Sequence, residues 1–244
     1  MKTKGITFIG LLLVFCLSGT LLAYSAENCR IDQKKEKRDV GSFNRISLGI
    51  SADLYLTQGS NTEVIIDAEE KMLDYIITEV SNGKLKIKYN KWRVPRHERI
   101  KVFITIPEIE GLNVSGSGKI IAETDIEEEN IEFNISGSGK IIIENLKVSD
   151  VEANISGSGD ILLAGPEIVK SFEINISGSG DLKAERLEVE EFEVSISGSG
   201  TCKVHVTSEL KAIISGSGKV YYSGKPIVDV RISGSGKVES LIIL

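Results

Sequence analysis

From Gly111 onward, apolar and polar residues alternate with a period of two, and one tetrapeptide interrupts the alternation at near-constant intervals. Ser-Gly-Ser-Gly begins at Ser115, Ser136, Ser156, Ser177, Ser197, Ser215 and Ser233, so successive copies lie 21, 20, 21, 20, 18 and 18 residues apart. Aligning the copies produces columns. Immediately before each copy stand Val114, Ile135, Ile155, Ile176, Ile196, Ile214 and Ile232. Two residues after each stand Ile120, Ile141, Ile161, Leu182, Cys202, Val220 and Val238. A third apolar column runs from Leu112 and Phe133 to Ala212 and Val230. Polar columns lie between, with Asn113, Asn134, Asn154, Asn175 and Ser195 in one and Glu132, Glu152, Glu173 and Glu193 in another. Such alternation describes half-buried strands, and the β-branched content of the inward columns favours strand over helix.

A repeat of about 20 residues carrying strand periodicity is the signature of a solenoid whose turns cover one another. The expected fold is all-β: a single-stranded right-handed parallel β-helix with an N-terminal capping head. The handedness follows from the general rule for parallel crossovers. Ser-Gly-Ser-Gly has the composition of a flexible linker, but constant spacing inside an apolar frame excludes that role. Each glycine in a strand interior costs about 0.5–1 kcal/mol relative to alanine. Fourteen of them imply a stacked corner that needs positive φ or has no room for a Cβ.

Residues 42–110 are less regular. "ISADLYL" at 50–56 reads as a degenerate repeat with Ser51-Ala52-Asp53-Leu54 in place of the tetrapeptide. A strand and a short helix near Glu69–Ile77 follow, then a turn at Asn82-Gly83. Strands are expected at "KLKIKY", with Leu85, Ile87 and Tyr89 on one face, and at "IKVFITIP". This part should cap the first coil and hide an open sheet edge.

The N-terminus changes the picture of location. Lys2 and Lys4, the apolar run Ile6–Leu22 and small residues at Ala23, Ser25 and Ala26 compose an export signal, with cleavage after Ser25 or Ala26. Cys16 follows Phe15 and Cys29 follows Asn28, which does not suit lipidation. Loss of Lys2 and Lys4 takes the formal charge from −6 to −8, which speaks against a nucleic-acid partner. Cys29 and Cys202 could pair in an oxidising compartment. Cys202 nevertheless occupies an apolar column, where a buried small hydrophobe belongs.

Two features are candidates for binding. One is the pair of serine ladders, sampled by Ser136, Ser138, Ser156, Ser158, Ser177 and Ser179, which would present regular hydroxyls to a glycan. The other is a basic run from Lys84 to Lys101 that holds eight cations, one acid, Trp92, Arg93, Arg96 and His97. In an acidic chain it could dock an anionic glycan or a membrane surface. The column after the tetrapeptide (Lys119, Lys140, Asp160, Asp181, Thr201, Lys219, Lys237) lacks the repeated Asp of a calcium-binding roll. No metal or cofactor is expected. Asp160 and Asp181 on adjacent rungs are the one carboxylate pair compatible with a polysaccharide-acting enzyme. His205 is out of phase with the core, and no catalytic triad can be placed.

The "ISADLYLTQG" head, the "NGKLKI" strand and the "NVSGSGKI" and "NISGSGDI" units resemble the family described as putative autotransporter adhesin, head GIN domain, over roughly residues 40–244. The resemblance implies a β-helix-like fold and an exported location; it carries over no catalytic or binding residue. No sequence for a membrane β-barrel follows the repeats, so self-translocation is not expected. The domain organisation read from the chain is a signal at 1–26, a tail at 27–41, a head at 42–110 and the repeat β-helix at 111–244. The expected function is non-catalytic: an exported adhesin or glycan-binding protein in the periplasm, at the surface or secreted, with a glycan or cell-surface component as partner. The alternatives are the polysaccharide enzyme and an envelope assembly protein that self-associates end to end through its apolar C-terminal coil.

Overall fold

A computed structural model describes residues 33–91 and 93–241. The segment 1–26 read from sequence as an export signal, Cys16, Cys29 and Trp92 lie outside these residues. In chain order the elements are β1 Gln33–Arg38, β2 Arg45–Leu48, β3 Ala52–Gln58, β4 Glu63–Glu69, the one-turn helix α1 Glu70–Leu73, β5 Ile76–Ser81, β6 Lys84–Tyr89 and β7 Ile100–Ile106. The repeats then form β8 Gly111–Gly116, β9 Lys119–Ala122, β10 Ile126–Gly137, β11 Lys140–Ile143, β12 Leu146–Gly157, β13 Asp160–Ala164 and β14 Val169–Gly178. The last strands are β15 Asp181–Gly198, β16 Thr201–Gly216, β17 Lys219–Gly224, β18 Ile227–Gly234 and β19 Lys237–Ser240.

The fold is a parallel β-solenoid. Each Ser-Gly-Ser-Gly rung has a strand running into the tetrapeptide and another leaving it. Equivalent residues stack in register: Ile135 lies between Val114 and Ile155, and Ile141 between Ile120 and Ile161. Seven such rungs make six turns from first to last. The three apolar columns form a continuous core, with Ile155, Ile161 and Ala153 all buried.

The first rungs do not stack in chain order. β2 pairs in parallel with both β6 and β8, so Ile46 lies between Leu85 and Leu112. β3 pairs with both β7 and β9, so Leu54 lies between Val102 and Ile120. The chain thus enters the stack at its second level. It steps outward to make the β6–β7 rung, then returns past the β2–β3 level to begin the repeats.

The outer level is closed by antiparallel strands. β5 pairs with β6 through a two-residue turn in which Asn82 and Gly83 have φ of 52° and 69°, the geometry of a type I′ hairpin. β4 pairs with β7, and β1 pairs with β4. Segment 33–38, read from sequence as tail, is therefore an edge strand, and its Lys-Lys-Glu-Lys-Arg sequence suits an exposed edge. The helix is shorter than expected and spans only Glu70–Leu73. The degenerate repeat also shifts by two positions. Pairing of Leu48 with Val114 and Asp53 with Lys119 makes Gly49-Ile50-Ser51-Ala52, not Ser51–Leu54, the counterpart of the tetrapeptide.

The two glycines of each tetrapeptide are required for different reasons. The first adopts positive φ, 126° at Gly157, a region open essentially to glycine. The second is in close approach: a Cβ on Gly139 would lie 2.3 Å from Val114 Cγ1 and 2.8 Å from the Gly118 carbonyl oxygen. The ladder does not break at the corner. Ser138 N–H donates to Gly116 O (2.8 Å), and Lys140 N–H to Gly118 O (3.0 Å), with the same bonds recurring on later rungs. The corner is therefore hydrogen-bonded structure.

Candidate functional site along the Ser-Gly corner

The corner splits its serines between two surfaces. The first serine of a tetrapeptide points to the side of the asparagine column, where Ser136, Ser156 and Ser177 line a groove of about 450 Å³ with Asn154, Asn175 and Ile213. The second serine faces the other side, where Ser117 and Ser138 line a groove of about 380 Å³. Ser158 and Ser179 are exposed on the later corners and belong to neither groove. The asparagines do not form a continuous amide ladder. Asn134 donates to Glu132 (2.7 Å) and Asn154 to Glu152 (3.5 Å), while Asn175 reaches Asn154 at 3.4 Å. A glutamate two residues earlier on the same face competes for each amide.

The basic run sits at the foot of this corner. The rung register pairs Leu48 with Ile87 and Ala52 with Ile100. Residues 88–99 therefore occupy the place that residues 49–51 fill one level above. The corner of the outer rung is expanded into a cationic loop, and its last residue, Arg99, lies over Asp53 (3.2 Å). Arg99 lines the second groove together with Ser117, Lys119, Ser138, Lys140 and Lys183. Lys140 is ion-paired to Asp160. Among the described residues, Lys119 and Lys183 have no ion-pair partner.

The loop holds itself together. Glu69 accepts from Glu98 N–H and pairs with Lys71 (2.6 Å). The Lys71 hydrogen bond first, and the Glu98 N–H second, hold the Glu69 carboxyl below the usual carboxylate range. His97 Nδ1 lies 2.6 Å from the Glu98 carbonyl, which can only accept, so Nδ1–H donates, and Nε2 lies within hydrogen-bond distance of the Tyr89 hydroxyl (3.2 Å). Both ring nitrogens are thus used inside the loop, and His97 is a positioning residue for it. Burial raises the Tyr89 phenol. Arg93 and Arg96 are exposed. Lys91 Nζ stands 5.2 Å from the centre of the Tyr75 ring.

Beside the second groove runs a feature that the repeat alignment did not reveal. Phe103, Tyr55, Ile121, Ile142 and Leu162 point outward from consecutive rungs and stack into an apolar stripe that stops at Lys183. All five are half-buried. Tyr55 and Phe103 stack with ring centres 5.2 Å apart. Only the last three lie in repeats, and the stacking partner of Tyr55 is set by the non-sequential rung order.

The carboxylate pair adjoins the second groove through Lys140. Asp160 and Asp181 are neighbours across β13 and β15, but Lys140 pairs with the first and the second accepts from Thr201 N–H (3.1 Å). His205 is half-buried and bonds Ser223 Oγ at 2.7 Å. Among the described residues Cys202 has no disulfide partner, and it is fully buried in its apolar column. Among the described residues no three His, Cys, Asp or Glu side chains converge as a metal site would require.

These features define a capped parallel β-solenoid with two grooved faces meeting at a Ser-Gly corner. The chain belongs to the family described as putative auto-transporter adhesin, head GIN domain, whose model matches residues 42–226. Its fold is similar to that of a putative adhesin from Bacteroides fragilis, with a TM-score of 0.79 at 23% identity, covering 86% of this chain and 97% of the other. A putative lipid binding protein from Parabacteroides distasonis is similar with a TM-score of 0.73 at 25% identity, covering 86% and 96% of the two chains. A putative adhesin from Parabacteroides merdae gives 0.70 at 22% identity, with the same coverage. A comparison with curated proteins finds no match.

Proposed function

We propose that this chain is an exported, non-catalytic binding protein of the cell envelope that holds an anionic glycan at the cationic foot of its Ser-Gly corner. The observation that carries this reading is the expansion of one corner into the basic loop 88–99. It adds Arg99, paired with Asp53, to a groove where Lys119, Lys140 and Lys183 of the stacked rungs flank the Ser117 and Ser138 hydroxyls. Cations clustered on an otherwise acidic protein create a local field that attracts an anionic ligand. The rungs set lysines and hydroxyls at a strand spacing of about 4.8 Å, which suits an extended polymer laid across the strands. The adhesin description of the family, and of two of the similar structures, supports an exported binding role.

A second reading is favoured by the stripe from Phe103 to Leu162 beside these cations. An amphiphile with an anionic headgroup would find an apolar track and a basic end there, and one similar structure is of a putative lipid binding protein. A glycan array with neutral, uronic-acid and sulfated members, run beside flotation with anionic and neutral phospholipid vesicles, separates the two. The glycan reading expects hits confined to acidic glycans. A blank array with vesicle capture transfers the site to the second reading, and blanks in both contradict the proposal.

A further inference from the structure

The two ends of the solenoid are unlike. The outer end is closed by antiparallel strands and finished with the charged edge β1. At the other end β18 pairs only with β16, so among the described residues its outer edge is open. The core columns surface there: Val228, Val230 and Ile232 are 38%, 37% and 43% exposed, whereas their counterparts on inner rungs are buried. An eight-residue strand with a free edge and apolar inward side chains is a template for another strand.

We propose that β18 pairs antiparallel with β18 of a second copy of this chain, centred on Val230. The register follows from charge. A two-fold pairing that keeps inward side chains inward must centre on a residue. Centring on Asp229 would place that carboxylate opposite itself, and centring on Arg231 would do the same with guanidinium groups. Centring on Val230 sets Asp229 opposite the second copy's Arg231 and Arg231 opposite its Asp229. It also sets Val228 opposite Ile232 and Val230 against itself. Both charged residues are exposed and alternate with the apolar column, and within one chain they are 3.9 Å apart. Opposite charges facing each other across antiparallel strands stabilise pairing, and like charges oppose it. An antiparallel strand against a parallel rung is already how this molecule ends at β6 and β7. A two-fold pairing uses the β18 edge of both copies, so association through that edge stops at a closed pair and does not grow into a fibre.

The test is light scattering of the purified protein in reducing buffer over a dilution series. The proposal expects twice the chain mass, falling to one on dilution. Asp229→Arg alone and Arg231→Asp alone should each weaken the pair roughly tenfold or more, and the double exchange should restore it because the strands are complementary again. Hydrogen exchange of the unmutated protein supplies a readout independent of variant folding: β18 amides should lose protection on dilution. A single-chain mass at the highest concentration, single variants that pair like the parent, a double exchange no better than either single change, or protection that ignores dilution would each overturn the proposal.

Discussion

A Cβ placed on Gly159 would stand 2.4 Å from Ile135 Cγ2 on the preceding rung and 2.6 Å from the Gly139 carbonyl oxygen. The second glycine is therefore the space into which the preceding isoleucine packs, and the tetrapeptide and its flanking column are one packing unit. Gly159→Ala should lower stability by about 1–3 kcal/mol through overpacking. Gly157→Ala should also destabilise, because its φ is 126° and a Cβ would meet the Gly137 oxygen at 2.5 Å. Ser158→Ala, exposed on the same corner, should stay within about 0.5 kcal/mol of the parent. Denaturant melts of the three variants check the order.

The value of a column position should depend on its rung. Ile155 is 1% exposed and Ile232, its counterpart at the open end, 43%. Ile155→Ala should cost about 2–5 kcal/mol, and Ile232→Ala much less under dilute conditions. Equal losses at the two positions would show that the last rung is covered in solution.

Cys202 should be chemically silent. Burial first, and the Asp181 carboxylate second, push its thiol far above the ordinary range, and the thiolate is the reactive form. An alkylating reagent at mildly alkaline pH should leave it unmodified in the native protein and label it fully in denaturant. Cys202→Val, which restores the aliphatic pattern of its column, should change stability by less than about 1.5 kcal/mol.

The repeat region was legible in the sequence because its constraint is local and recurs. A β-branched residue, two glycines and another apolar residue repeat wherever the chain turns the same corner, so alignment alone recovers which columns face inward. The lower rungs were not legible for two reasons. Gly49-Ile50-Ser51-Ala52 makes the corner with only one glycine, and Gly116 above it has nothing within 4 Å of its would-be Cβ, although a Cβ on Gly118 would still meet the Ile50 oxygen at 2.5 Å; the stacking of first glycines is absent at that level. Insertion of β2 and β3 between later strands is decided by long-range pairing that no periodicity encodes. Hence the basic loop and the serines were recognised as separate candidates. Their meeting through Arg99 and Ser117, and the outward stack of Tyr55 on Phe103, required the rung order. The bonds of the His97 ring, made with Tyr89 and the Glu98 carbonyl, are likewise set by the folded loop and not by any sequence pattern.

The loop should be acid-sensitive through Glu69. Its carboxyl is held below the ordinary range, so its contribution is fully present above the unfolded-state pKa and is lost as pH falls through the depressed folded value. The Glu98 amide should thus keep its exchange protection at neutral and mildly acidic pH and lose it only below the usual carboxylate range. Glu69→Gln should speed tryptic cleavage after Arg93 and Arg96 at neutral pH. Unchanged cleavage would remove Glu69 as the anchor of the loop.

The central claim is that the corner foot, not positive charge in general, binds the anionic ligand. Titration calorimetry with the strongest acidic glycan should compare Lys119→Glu/Lys140→Glu with Lys84→Glu/Lys86→Glu, which reverses two cations on β6, outside the groove. The account predicts at least a roughly tenfold loss for the first pair, near-parental affinity for the second, and parental binding that weakens as salt rises. Parental affinity in Lys119→Glu/Lys140→Glu, or equal losses in both pairs, would contradict it.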